Sequence, residues 1–205
     1  MDILKYLVSL GYKSRPDLLD LIVEDFQRHT KIEVDGIVGK ETLKKVNFYN
    51  PHNYCPEVFE PIKPYVPYSD NEIEKLMQPK LLGYGHIFNR EARLNDFNVL
   101  HSIGHQALEG SEKGVWANSY IARIKNNIYG FGAYDLSPVT SAKKFQSLEE
   151  CIIIWSKWFN ENYLEPWGQF HYGNHEKGVN FKYATSPIAG INKSFIIREL
   201  RNKLN

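Results

Sequence analysis

The sequence predicts a mainly α chain in two parts, a small three-helix bundle followed by a larger α-rich domain with a short β-hairpin or loop lobe. Three observations carry this. Apolar residues recur at helical spacing in separate segments near both ends and in the middle of the chain. Five prolines interrupt the pattern between Asn47 and Pro67. A glycine- and aromatic-rich stretch, residues 126–135, falls between two helical patterns.

In the first part, Ile3, Leu4, Leu7 and Leu10 share one helix face, and Leu18, Leu19, Leu21, Ile22 and Phe26 line a second. The third helix, Lys40–Val46, is entered through the turn at Gly36 and Gly39. Eight Lys/Arg balance eight Asp/Glu over residues 1–48, and so short a bundle has a small core. The proline stretch, residues 49–68, reads as a stiff, partly packed linker, because each proline biases its predecessor towards extended backbone. Beyond it, residues 69–205 form the second domain. Ser69–Glu72 has the form of a capping box opening a helix to Met77. Further helices are expected over about Val99–Glu109 and Leu148–Tyr163, the latter with Cys151, Ile154, Trp155, Trp158 and Phe159 on one face. The segment Asn126–Asp135 between them suits a loop or hairpin lining a cleft.

Composition excludes several function classes. Lys+Arg 25 against Asp+Glu 24 leaves a net charge of +1, which is no footprint for nucleic acid. Aromatics reach 14%, a share that argues for a folded chain and against long disorder. Two cysteines, Cys55 and Cys151, are too few for a disulfide framework and read as free thiols. The start of the sequence fails the secretory-signal pattern, and no segment has the roughly 18 apolar residues of a membrane span.

The run Val23–Leu43 contains Phe26-Gln27 on a helix and then Val34, Asp35, Gly36, Val38, Gly39 and Thr42 in the order V-D-G-x-V-G-x-x-T. It resembles the peptidoglycan-binding domain type 1 family over about residues 2–47, and that resemblance implies attachment to the bacterial cell wall. The residues themselves read mainly as fold maintenance, with Asp35 and Thr42 bonding the turn.

In the second domain a helix ends in Ala107-Leu108-Glu109, then come a Gly-rich turn, Ser119-x-x-Ala122, and Asn126-Asn127-Ile128-Tyr129-Gly130. Later, Gly178–Pro187 carries G-x-N-x-x-Y-A-T-S-P. In order, these resemble the endo-β-N-acetylglucosaminidase domain of glycoside hydrolase family 73 over roughly residues 80–203. The resemblance implies a lysozyme-like fold, a peptidoglycan substrate, no cofactor and no metal.

Glycoside hydrolysis requires a protonated carboxylic acid beside the leaving oxygen, held in a partly desolvated cleft. Glu109, at the end of an apolar helix, fits, and the resemblance places the general acid there; Glu112 is the rival under a shifted alignment. Asp135 is the candidate partner carboxylate, or else a turn cap, and the substrate's own N-acetyl group is the alternative nucleophile. Tyr183 matches the family's tyrosine and is a candidate for holding that group, whereas Ser186 replaces the family's aspartate. Sugar rings stack on aromatics, which nominates Trp116, Tyr129, Phe131 and Tyr134, each also a candidate for core packing. Asn127 and its neighbour Asn126 are candidates for bonding backbone or an N-acetyl group. His101, His105 and Glu109 recur every four residues as zinc ligands can, but H-E-x-x-H is absent, and His105 reads instead as a neighbour tuning Glu109. The expectation is a monomeric wall hydrolase that binds peptidoglycan, neither nucleic acid nor membrane. The pairing of modules looks like a bacteriophage endolysin, held in the host cytoplasm until lysis. A lytic transglycosylase or muramidase on the same scaffold, and a non-catalytic wall-binding or virion protein, are the alternatives.

Overall fold

The computed structural model describes residues 2–49, 57, 60–134, 136–171, 173–175 and 183–205. The architecture is helical, and among the described residues strand pairing is limited to two isolated bridges, Pro61 with His175 and Glu112 with Val115. The lobe between the central helices is therefore a set of turns rather than a hairpin over its described part.

Helices α1 (Ile3–Ser9), α2 (Leu19–Thr30) and α3 (Lys40–Phe48) make the bundle. Gln27 is its polar hub. Its Nε2 donates to Asp35 Oδ1, Ile37 O and Thr42 Oγ1, and its Oε1 accepts from the Asp35 and Gly36 amides. The motif residues thus stitch the turn before α3 onto α2. Leu7, Leu10, Val23, Phe26 and Val46 are buried around them. That core is closed by two residues from the far end of the chain, Ile188 and Ile191.

The described part of the proline stretch lies along the second domain. Ile62 is fully buried in its core, worth roughly 2 kcal/mol as apolar burial. Its amide donates to Asn174 O and its carbonyl accepts from Asn98 N. Lys63 pairs with Glu165 at 2.6 Å, and Glu60 with Arg201 at 2.7 Å.

Beyond the proline stretch the chain forms α4 (Asp70–Leu76), with the capping box of Ser69 and Glu72 in place. It continues with α5 (Gly85–Leu94), α6 (Val99–Glu109), α7 (Tyr120–Lys125), the short α8 (Pro138–Ser141), α9 (Leu148–Phe159) and α10 (Ala189–Asn202). The long helix expected to reach Tyr163 changes to a π turn at Asn160–Leu164. α6 is central and buried over nearly its whole length, from Val99 to Ala107. α10 packs closely on it, because a Cβ at Gly104 would stand 3.1 Å from Ile197 Cγ1 and 3.2 Å from Lys193 Cγ. The same α10 meets the bundle, where Tyr49 donates to Asn192 Oδ1 at 2.7 Å and Phe48 packs on Phe195.

Gln27→Ala would strand the Asp35 and Gly36 amides and remove a buried donor. We expect a loss of about 2–3 kcal/mol, read as a lower denaturant midpoint of the full chain. An unchanged midpoint would show that the hub is dispensable.

Candidate active site

Glu109 closes α6 because Gly110 follows it at a place where no side chain fits. A Cβ on Gly110 would lie 2.4 Å from Ile128 O. The Gly110 carbonyl accepts from the Asn118 and Ser119 amides, both at 2.9 Å. The end of α6, the turn over residues 110–119 and the loop around Ile128 therefore converge on one residue. Gly130, at φ +65, comes next to the acid, with a notional Cβ 3.9 Å from Glu109 Oε2. At that left-handed φ a glycine is unstrained, and the missing side chain leaves the carboxyl approachable.

Glu109 is half-buried. Burial pushes its carboxyl from an ordinary 4.5 up to about 7, and the Lys193 ammonium opposes that rise. A carboxyl in this state holds its proton near neutrality, as a general acid must. Glu112 is of the opposite kind. It is exposed and hydrogen-bonded to Arg123 Nη1, and that bond lowers its pKa, so it stays a carboxylate. Of the two, Glu109 has the electrostatics of a proton donor.

An aromatic wall stands behind the acid. Tyr129 and Trp155 stack at 3.9 Å with an interplanar angle of 4°, and Trp155 stacks on Phe159 at 4.5 Å. Trp155 Nε1 donates to the Tyr183 hydroxyl, which donates to Tyr129 O, both at 2.9 Å. Burial holds the Tyr183 and Tyr129 hydroxyls protonated, with Glu109 adding to the effect at Tyr183. Tyr183 thus has its hydroxyl engaged, and its ring packs T-shaped on His105 with the centroids 4.0 Å apart. It is fixed beside the acid.

Several expected sugar contacts turn out to be frame. Tyr129 and Asn127 are fully buried. Tyr129 shares a hydrogen bond with Ser102 Oγ. Asn127 donates to Phe131 O and Lys143 O and accepts from Phe131 N. Asn126 bonds the carbonyls of Phe145 and Gln146. Of the two uses open to this asparagine pair, backbone bracing is therefore the one found. Trp116 is buried in the main core, and its amide donates to Gln78. His105 is also buried, with Lys193 Nζ donating to its Nδ1 at 2.8 Å. Buried in this way, Tyr129, Trp116 and His105 offer no ring face to solvent. Phe131 is half-buried against Trp158 at 4.4 Å, and Tyr134 is 71% exposed; these two remain within reach. Asp135 lies outside the described residues.

His105 Nδ1 already receives a proton from an ammonium, and burial followed by Lys193 and His101 keeps the ring neutral. Among the described residues no group of three or more His, Cys, Asp or Glu is set to hold a metal. Cys151 is free and buried, its thiol pushed up to about 12 by burial, which leaves it unreactive. Cys55 lies outside the described residues. Among the described residues no helix is long and apolar enough to cross a membrane.

No family model matches the chain. Two Streptococcus pneumoniae proteins, from a serotype 4 strain and from strain R6, are each 30% identical to it over 155 residues. Both are provisionally named endo-beta-N-acetylglucosaminidase. The match takes in 73% of this chain but 23% and 21% of theirs, so the chain spans less than a quarter of those relatives. Among solved structures, S. aureus autolysin E has the same fold, with a TM-score of 0.58 at 22% identity over 89% of each chain. A catalytic mutant of autolysin E in complex with the disaccharide NAG-NAM gives a TM-score of 0.57 at 20% identity, over 89% of this chain and 90% of that one. Coverage of 89% exceeds everything beyond residue 48, so the shared fold takes in part of the bundle.

Two predictions follow from the geometry. Gly110→Ala drives a methyl into the Ile128 carbonyl, and we expect a loss of more than about 2 kcal/mol, seen as a fall in Tm; wild-type Tm would refute the close approach. The Glu109 carboxyl is raised above its unfolded value, so the stability it supports is complete below pH 4.5 and is lost as pH rises through about 7. Glu109→Gln removes that loss. Denaturant titrations should find it matching wild type near pH 4 and exceeding it by roughly 1–3 kcal/mol at pH 8; a gap independent of pH would exclude the dry setting.

Proposed function

We propose that this chain is a glycoside hydrolase that cuts the β-1,4 bonds of peptidoglycan in the manner of an endo-β-N-acetylglucosaminidase, with Glu109 as general acid. The observation that carries the reading is a carboxyl at the end of a buried helix, protonated near neutrality and flanked by Gly130, where a sugar can approach. The names of the pneumococcal relatives and the shared fold with autolysin E support it. In the reaction Glu109 gives its proton to the leaving glycosidic oxygen as the C1–O bond breaks and an oxocarbenium-like charge develops on the sugar. That charge is met by the substrate's N-acetyl oxygen or by Asp135. Tyr183 keeps the wall beside the acid in register, and Phe131 and Tyr134 offer aromatic surface to the glycan.

The finer reading is a wall-bound lytic enzyme of endolysin type. Its support is the bundle motif running from Phe26 to Thr42, and peptidoglycan is the partner it implies. The bundle would contribute through its exposed face near the Asp35–Gly36 turn, where Val34 and Ile37 are exposed.

Digestion of purified peptidoglycan with mass analysis of product ends tests the reaction. Reducing N-acetylglucosamine ends are expected, anhydromuramic ends would make the chain a lytic transglycosylase, and no product would leave a wall-binding protein. Glu109→Gln should cut turnover by about 10³-fold or more while the protein still sediments with insoluble walls. Glu112→Gln should stay within about threefold of wild type, since an ionised exposed carboxylate is no proton donor.

A further inference from the structure

Lys193 was not singled out by any sequence pattern, yet it is the most unusual charge among the described residues. It is 2% exposed, inside α10. A lysine this buried needs compensation from its surroundings. Its Cγ lies over Gly104, the residue on α6 whose missing side chain admits it, and its Nζ donates to His105 Nδ1 at 2.8 Å. His105 stands one helical turn before Glu109 on the same face of α6. We propose that Lys193 is a positioning residue for the acid: its buried ammonium, seated on α6 through Gly104 and His105, is the counter-charge that the Glu109 carboxylate meets when it gives up its proton. This rests on the acid role of Glu109 proposed above.

The other titratable groups near Glu109 cannot serve. His101 and His105 lie on its own helix, and His105 stays neutral because burial and Lys193 both oppose a second proton. Tyr129 from the loop and Tyr183 from the segment before α10 keep their protons. Tyr163 and Cys151, further back on the π turn and α9, do the same. Among the described groups Lys193 is the cation whose charge bears on Glu109, and it acts against the effect of burial. With burial alone the acid would hold its proton too tightly to give it away. With the ammonium present, its affinity for the proton stays close to that of the medium, where general acids transfer best.

The arrangement also explains why a neutral histidine is buried here. His105 accepts from the ammonium and so fixes its position without cancelling its charge. A carboxylate in place of His105 would pair with Lys193 and screen it from Glu109.

The test uses the full chain with Lys193→Met and Lys193→Gln, which remove the charge, and Lys193→Arg, which keeps it. Gln also keeps a donor for His105. Two readouts are taken, the pH profile of glycan cleavage and the 13C titration of the Glu109 carboxyl. In folded Met and Gln variants the alkaline limb and the carboxyl titration should both move up by about one pH unit. Cleavage at pH 6 should fall roughly 3- to 10-fold, because a weaker acid protonates the leaving oxygen less readily. Lys193→Arg should leave limb and titration in place. A purely structural lysine would lower stability without moving either, and that result overturns the proposal. If wild type releases no reducing ends, the hydrolase reading fails, and the carboxyl titration still decides whether Lys193 acts on Glu109. If both neutral variants unfold, the Arg variant decides, since a displaced carboxyl titration with the charge retained contradicts the assignment.

Discussion

Everything at the acid depends on a stack of rings that water does not enter. The near-parallel contact of Tyr129 with Trp155 is locked by one hydroxyl, Tyr183, which accepts from the indole and donates to the Tyr129 carbonyl. Such an arrangement has two requirements: large apolar faces packed at van der Waals distance, and a partner for every polar edge that is buried with them. It meets both. The loop carrying Gly130 is thereby held against the end of α6, and the Glu109 carboxyl is left beside apolar surface where its ionised form is poorly solvated. The proton affinity of Glu109 is thus raised by the packing around it, with Lys193 opposing the rise.

The same wall gives the aromatic content a different meaning. A high share of Trp, Tyr and Phe in a chain with sugar-hydrolase motifs suggests stacking platforms. Most of these rings instead face one another; of the nominated aromatics Phe131 and Tyr183 are half-buried and Tyr134 is exposed. The asparagine pair follows the same logic. Asn126 and Asn127 bond backbone carbonyls at both ends of the 127–146 lobe, so that the lobe has shape without strands.

Sequence reasoning found what local chemistry dictates. The capping box at Ser69, the span Val99–Glu109 and the turn around Gly36 depend on neighbours within a few residues, and their signals are correspondingly sharp. Glu109 was legible for the same reason, as a carboxylate at the end of an apolar helix before glycine. Helices α5 and α10 were not. In α10 the buried face includes Gly190, Lys193 and Ser194, which weakens the apolar periodicity that announces a helix, whereas α5 is strongly amphipathic and buries Asn89 and Glu91 alongside its apolar residues. Glu91 pairs with its neighbour Arg90 and Ser194 bonds Ile191 O, but Asn89 is held by Tyr65, Tyr68 and Asp70 and Lys193 by His105, partners that a sequence does not display. Lys193 becomes meaningful only once Gly104 is seen beneath it. For the same reason the frame residues Asn127 and Tyr129 could not be told from sugar contacts, because residue type is the same in both roles and burial alone separates them.

The helix that carries Lys193 also decides how the bundle should be regarded. A module on a flexible tether raises local concentration at a surface whatever its own orientation, and the gain depends on linker length alone. Here the bundle's core is completed by Ile188 and Ile191, and Tyr49 and Phe48 engage Asn192 and Phe195. The described proline segment is itself bonded along the second domain through Ile62 and Lys63. A bundle seated in this way is packed on α10 rather than tethered. Any glycan it holds is then held in a fixed relation to Glu109, and contacts on the bundle face of α10 lie on the same rigid element as the ammonium beside the acid. Rigid docking exchanges reach for alignment, which would suit the ordered, immobile polymer proposed as substrate.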